Sequence, residues 1–444
     1  MKNKLHGFVR FIHSLHPVRV VVIGYMSYVT IGWIVLAFPF CHATGSVSAL
    51  DTLFTSTSAV STTGLVTLST GHDYSILGQI VILILIQLGG IGYMTFGSFV
   101  ILSRSAVLSE RRQQIGKTVF SMPDNFMIDK FIRSVIVFTL ITEAAGALAL
   151  YLAFTQAGIE SPVWSAVFHS VSAFCTAGFG LWDDSFERLR DSVSVNLILG
   201  ILSYLGAIGF IVFVDGWRRL IGKTHRLTLT SRIIIVTTVW LSLTGIVLFF
   251  VAEPTIQNLP PYERLTAACF QVMTSITTVG FNTIPIGDIS QASLFLIILL
   301  MVVGASPAGT GGGLKTTTFT ALFGILRSSI LGREKITFWG KEIPEERVRV
   351  AMASLGFYAG ILILGCYLLA LTESQPFEGL LFEAASALGT VGLSTGITAQ
   401  LTPIGKLILI GLMFIGRLGP LAFGIALFFP VGIRDESGME DLAV

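Results

Sequence analysis

Long and short apolar runs alternate along this chain in a fixed order. Runs long enough to cross a bilayer cover about 18–40, 75–102, 131–155, 193–215, 232–252, 350–371 and 402–429, and an eighth over 292–331 is interrupted. Four shorter runs lie between them, near 48–60, 162–174, 264–276 and 377–388. A helix rises about 1.5 Å per residue and the hydrocarbon layer is about 30 Å thick, so a dozen residues cannot cross it. The short runs therefore read as re-entrant half-helices. Span, half-helix, span recurs four times, over 18–102, 131–215, 232–331 and 350–429, between polar termini at 1–17 and 430–444.

Each half-helix run is followed by the same short motif. The four copies are Thr62-Thr63-Gly64, Thr176-Ala177-Gly178, Thr278-Val279-Gly280 and Thr390-Val391-Gly392. A second signature recurs 25, 28, 24 and 24 residues beyond these glycines, beginning at Gly89, Gly206, Gly304 and Gly416. Small residues at such positions let membrane helices approach closely. The predicted fold is an all-α polytopic membrane protein in which four span–pore-helix–span units surround one pseudo-four-fold pore.

Composition agrees with a membrane protein and narrows its chemistry. The chain is 53% hydrophobic and only 12% charged, with mean hydropathy +0.80; soluble domains carry about 25% charged residues. The net charge of +2 gives no reason to expect nucleic acid. Cys41, Cys175, Cys269 and Cys366 have no metal-ligand spacing and read as apolar filler. With both termini on one side, that side collects 22 of the 28 Lys and Arg, and the other holds only Arg188, Arg190, Arg264 and Lys406. The basic side is predicted to be cytoplasmic. The outer side carries the acids, among them Asp51, Asp183, Asp184, Glu187, Glu253, Glu263 and Glu383, read as a vestibule that concentrates cations.

A ring of four Thr-x-Gly loops suits a dehydrated monovalent cation, which needs oxygens around it and no strong counter-charge. Glycine lets the backbone approach closely, and each Thr can add a hydroxyl oxygen. The half-helices end at these loops, so their negative dipole ends face the ion. No acidic side chain lies in the motifs, which favours carbonyl coordination over a carboxylate ring.

The third repeat breaks its second span at Gly304-Ala305-Ser306-Pro307-Ala308-Gly309-Thr310-Gly311-Gly312-Gly313-Leu314-Lys315-Thr316. With five glycines and a proline this cannot be a continuous helix. Irregular backbone at membrane depth lines a cavity or is buried in protein. The segment is predicted to cross the pore beneath the filter as a gate, with many accessible conformations and few contacts. Lys315 would bring a cation near the ion path. Leu314 precedes Lys315 where a phosphate loop requires Gly, so no nucleotide site is expected here. Arg417 lies inside the last span, either as an electrostatic barrier or bonded to carbonyls of the broken helix. Glu143 is a second intramembrane charge, expected to pair with an Arg or cap a half-helix.

These motifs resemble the Trk/Ktr/HKT potassium transporters over about 10–430, most of all the Ktr-type membrane subunit. The resemblance implies that Gly64, Gly178, Gly280 and Gly392 govern potassium selectivity, since a Ser at the first glycine goes with sodium transport in some members. It implies that 304–316 is the intramembrane gate and Arg417 the pore arginine. It further implies a homodimer in the cytoplasmic (inner) membrane and a cytoplasmic ring of RCK-type nucleotide-binding regulatory subunits. No GxGxxG unit is present, so nucleotide control would come from that partner. An enzyme is not expected: the histidines form no HExxH set and no Ser/His/Asp constellation is visible. A proton- or sodium-coupled transporter would want several intramembrane carboxylates, and Glu143 alone qualifies. A less selective sodium/potassium translocator stays open, because Leu65, Val66, Leu393 and Ser394 make the ring irregular.

Overall fold

The computed structural model describes residues 17–92 other than 44 and 46, and 128–428 other than 223–225 and 334. The expected cytoplasmic termini, the end of the first repeat's second run to 102 and the basic residues Arg104, Arg111, Arg112 and Lys117 lie outside the described residues.

Each repeat contributes a first helix, a half-helix and a second helix. In the first these are α1 (Pro17–Leu36), α2 (Ala49–Ser61) and α3 (Ile76–Ile91). The second has α4 (Ile128–Gln156), α5 (Pro162–Phe174) and α6 (Val193–Ile208), followed by α7 (Phe210–Leu220). The third has α8 (Leu229–Ala252), α9 (Pro261–Thr277) and α10 (Gln291–Val303); the chain then resumes as α11 (Thr316–Ile330). A hairpin of β1 (Thr337–Phe338) and β2 (Lys341–Glu342) leads to α12 (Glu345–Thr372), α13 (Phe377–Gly389), α14 (Pro403–Leu418) and α15 (Pro420–Phe428). Local sequence fixes the starts. Ser75, Ser290 and Thr402 each accept a backbone N–H with their side chains at the N-termini of α3, α10 and α14. Pro162 and Pro261 open α5 and α9, where a missing N–H costs nothing.

The second helix of each repeat packs on the half-helix of the next: α3 on α5, α6 on α9, α10 on α13, and α14 back on α2. This cyclic order closes four units around one axis. The half-helices are buried even at Thr52, Ser56, Thr57, Thr274, Ser275 and Ser386, whereas Leu140, Leu148, Leu243, Val247, Ile363 and Leu371 on the long helices are exposed. Polar inside and apolar outside is the distribution a bilayer demands. Among the described residues four helices are long and apolar enough to cross a membrane, and two bent pairs add two more.

Those bent pairs change the expected picture of continuous spans over 193–215 and 402–429. α6 and α7 meet at 94° at Gly209, and α14 and α15 at 97° at Gly419. Gly92, Gly209, Gly304 and Gly419 all have positive φ, from 51° to 92°. In the first, second and fourth repeats the second helix thus gives way to a glycine three residues after the recurring Gly89, Gly206 or Gly416, whereas in the third it ends at the recurring glycine itself, Gly304. The apolar run continues past the break, so hydropathy alone does not reveal it.

Candidate functional site

The four Thr-x-Gly motifs meet in a closed ring. Thr62, Thr176, Thr278 and Thr390 are left-handed, with φ of 52°, 50°, 58° and 50°. For a branched residue this conformation costs about 1–2 kcal/mol, and such strain concentrates at functional sites. It turns the chain sharply off each half-helix. The next N–H then bonds back: Thr63 N to Ser58 O at 2.8 Å, Ala177 N to Ser172 O at 2.8 Å, Val279 N to Thr274 O at 3.1 Å and Val391 N to Ser386 O at 2.8 Å.

The glycines follow, each with positive φ. A Cβ on Gly64 would strike the Ala177 carbonyl oxygen; on Gly178, that of Val279; on Gly280, that of Val391; on Gly392, that of Thr63. Each would also lie 3.0–3.3 Å from the next repeat's glycine Cα. The order runs one to two to three to four and back to one. The carbonyls of Thr63, Ala177, Val279 and Val391 thus form a ring of oxygens belonging to fully buried residues. Among the described residues none of the four accepts a hydrogen bond. Buried carbonyls are nearly always paired, so four unpaired ones in a ring make a candidate site for a cation. The half-helix C-termini point at it.

Beneath the ring runs the segment 304–316. Thr310 Oγ1 lies 3.0 Å from Thr176 Oγ1 and donates to Phe174 O at 3.1 Å, while Thr62 Oγ1 donates to Thr310 O at 3.3 Å. A Cβ on Gly311 would meet Thr278 Oγ1, and one on Gly312 would meet Thr390 Oγ1. Residues 310–312 therefore touch all four ring threonines. The segment is held more firmly than its composition predicts. Thr310 N donates to Gly206 O at 3.1 Å, Ser306 N to Ala207 O at 3.0 Å and Ala305 N to Gly312 O at 3.1 Å. Lys315 Nζ turns back on the segment, donating to Gly311 O at 2.8 Å. Arg417 donates to Thr62 Oγ1 at 2.9 Å and to the carbonyls of Thr310, Gly89 and Gly90. It is bonded to carbonyls and sits against the ring as well. Pro307, Gly309 and Gly313 shape the turns; a Cβ on Gly309 would lie 2.6 Å from Ala207 O.

Other expectations change. Among the described residues Glu143 meets no arginine: its carboxylate accepts from Gln87 Nε2 at 3.1 Å and lies 3.6 Å from Cys175 Sγ, directly after α5. Cys175 is therefore more than apolar filler. Of the vestibule acids, Glu383 and Glu253 are fully buried, because the loops beyond the ring and α8 fold over them and supply donors. Asp51 pairs with Lys406 at 2.9 Å, Asp184 with Arg188 at 2.6 Å and Glu263 with Arg190 at 3.5 Å. Glu187 accepts from Asn282 Nδ2 at 2.7 Å, two residues beyond Gly280. Burial pushes the Glu187 carboxyl above its ordinary range, and the charges of Asp184 and Asp288 add to the shift. Sequence reading passed over the hydroxyl residues six positions before each glycine. Ser58 and Ser386 Oγ accept the Gly64 and Gly392 N–H at 3.0 Å. Aligning the four repeats on the glycine reveals them, with Ser172 and Thr274 at the same place.

Four span–half-helix–span units closed around one ring define a polytopic membrane protein of the kind that passes ions. The chain belongs to the TrkH family of cation transport proteins, whose model matches residues 26–432. It is 32% identical to Ktr system potassium uptake protein B of Bacillus subtilis (strain 168), over 95% of this chain and 94% of that one. It is also 32% identical to the potassium/sodium uptake protein NtpJ of Enterococcus hirae, over 91% of each chain. Its fold matches the crystal structure of the potassium transporter TrkH from Vibrio parahaemolyticus with a TM-score of 0.73 at 22% identity, covering 92% of this chain and 83% of the other.

Proposed function

We propose that this protein is the translocating subunit of a Ktr-type potassium uptake system. The observation that carries this reading is the closed ring of four buried carbonyls that accept no hydrogen bond among the described residues. Potassium exchanges its hydration shell for these oxygens, with the threonine hydroxyls beside them. No carboxylate enters the ring, so the ion is held weakly enough to leave. The segment 304–316 acts as the gate: it bears on the ring threonines, and Arg417 fastens it. The protein lies in the cytoplasmic (inner) membrane with both termini inside, in line with its lopsided Lys and Arg. It forms a homodimer, binds no nucleotide itself and answers to an RCK-type nucleotide-binding ring; the Ktr-system name of its B. subtilis relative supports a partner. It works as a translocator, not an enzyme, with sodium as a competing or modulating ion.

A second reading, a sodium/potassium translocator, is supported by the name of the E. hirae relative and by the unequal residues beyond the glycines. Purified protein in vesicles with an imposed potassium gradient tests both. Potassium flux well above protein-free vesicles, with little sodium flux, is expected. Equal fluxes support the second reading, and no cation flux in any ionic condition refutes both.

A further inference from the structure

Nine residues before each ring glycine stand Thr55, His169, Gln271 and Glu383. Each follows a phenylalanine, Phe54, Phe168, Phe270 and Phe382, and all eight are buried. The four half-helices thus present one structural position behind the ring, filled with four different chemistries.

In two repeats that position reaches the same backbone amide. Glu383 accepts the Thr395 N–H at 2.9 Å, together with the hydroxyls of Ser394 at 2.8 Å, Thr398 at 2.6 Å and Thr395 at 3.2 Å. His169 Nδ1 lies 2.7 Å from Ser165 O, which places the proton there and leaves Nε2 an acceptor. Nε2 then takes the Leu181 N–H at 3.2 Å. Thr395 and Leu181 are each the third residue beyond their glycine. The imidazole is stacked on Trp182 with centroids 4.5 Å apart and has Phe186 edge-on at 5.0 Å, so it cannot swing away. The second and fourth repeats are diagonal across the ring.

The other two repeats lack this link. Thr55 Oγ1 instead accepts from Tyr74 OH at 3.0 Å. Gln271 has no partner for either polar atom among the described residues, nor has the hydroxyl of Thr283, three beyond Gly280. That segment is held from outside: Phe186 N donates to Asn282 O at 3.0 Å, and Asn282 N to Ser185 Oγ at 3.2 Å.

We propose that Glu383 and His169 are positioning residues that anchor the outer ends of the fourth and second ring segments and so set discrimination between potassium and sodium. The inner end of each segment is already fixed by its left-handed Thr. Carbonyl geometry between two fixed ends is defined; with one end free it adapts to a smaller ion. This inference rests on the ring being a potassium filter.

Two measurements on the full-length protein test it. Hydrogen exchange reads the anchor without reference to transport. Glu383→Ala is expected to speed exchange at Thr395 roughly fivefold or more, the effect of losing one hydrogen bond locally, with Leu181 unchanged. His169→Phe, which keeps the aromatic packing, should do the reverse. Flux in vesicles reads the consequence: the potassium-to-sodium ratio falls in both variants, and Glu383→Gln, which retains an acceptor, restores part of it. Glu373→Ala serves as control, because Glu373 caps α14 through Thr402; it should lower the melting temperature and leave the ratio alone. Unchanged exchange at Thr395 overturns the anchor. Faster exchange with an unchanged ratio overturns its role in selectivity. A wild type that carries no potassium refutes the potassium reading itself, and the exchange result still decides the anchor.

Discussion

Arg417 joins three segments: the first ring threonine through Thr62 Oγ1, the intramembrane segment through Thr310 O and the end of α3 through Gly89 O. A guanidinium at membrane depth is costly unless it is fully bonded. Hydrogen bonds to charged groups contribute about 1.5–3 kcal/mol each, and every 1.4 kcal/mol is about a tenfold change in an equilibrium. Arg417→Ala should therefore raise flux per folded molecule about tenfold or more and lower the melting temperature by several degrees. A lowered melting temperature with unchanged flux per folded molecule would reduce Arg417 to a packing clamp. Arg417 was legible in the sequence because a charge inside an apolar run breaks the pattern, and the glycines because they recur in register. The partners of Glu383 and Glu143 were not. Glu383 reads as one more outer acid, since its partners Ser394, Thr395 and Thr398 lie beyond the ring glycine and fold back over it only in the structure, and the Gln87 donor to Glu143 is 56 residues away.

At the scale of elements, the half-helices, the Thr-x-Gly turns and the interrupted third repeat follow directly from run length and glycine content. The right-angle bends at Gly209 and Gly419 do not, since the first residues of α7, Phe210 to Val214, and the whole of α15 continue the apolar run. Pro420 directly after Gly419 was the available signal, because proline cannot continue a helix built on the preceding turn. The segment 304–316 illustrates a different limit. Its composition predicts looseness, yet backbone bonds to Gly206 and Ala207 and the Arg417 contacts tie it down. Under the proposed gating role, a segment held this way moves when a few kcal/mol are supplied at one end, and α11 runs from its far end. Deleting Gly309–Gly313 should raise potassium flux in partner-free vesicles and weaken its dependence on the regulatory ring. A deletion variant that folds normally, conducts at the parent rate and stays fully partner-dependent would rule the gate out; lower yield with lower flux per molecule would mark the segment as packing.

For the whole molecule, four units of one pattern close into a ring because the second helix of each packs on the half-helix of the next. The repeat was legible along the chain. The closure was not, since it depends on contacts between the first and fourth units, such as that of Gly392 with Thr63, more than 300 residues apart. That closure also makes the four glycines interdependent: a side chain on any one displaces a neighbouring unit's carbonyl. The most direct test is the potassium-to-sodium flux ratio of the wild type beside Gly64→Ser, Gly178→Ser, Gly280→Ser and Gly392→Ser, measured in vesicles on variants that elute and melt as folded protein. A ratio favouring potassium in the wild type and reduced in the single variants is the predicted result; a ratio unchanged in all four would contradict the ring as the site of selection.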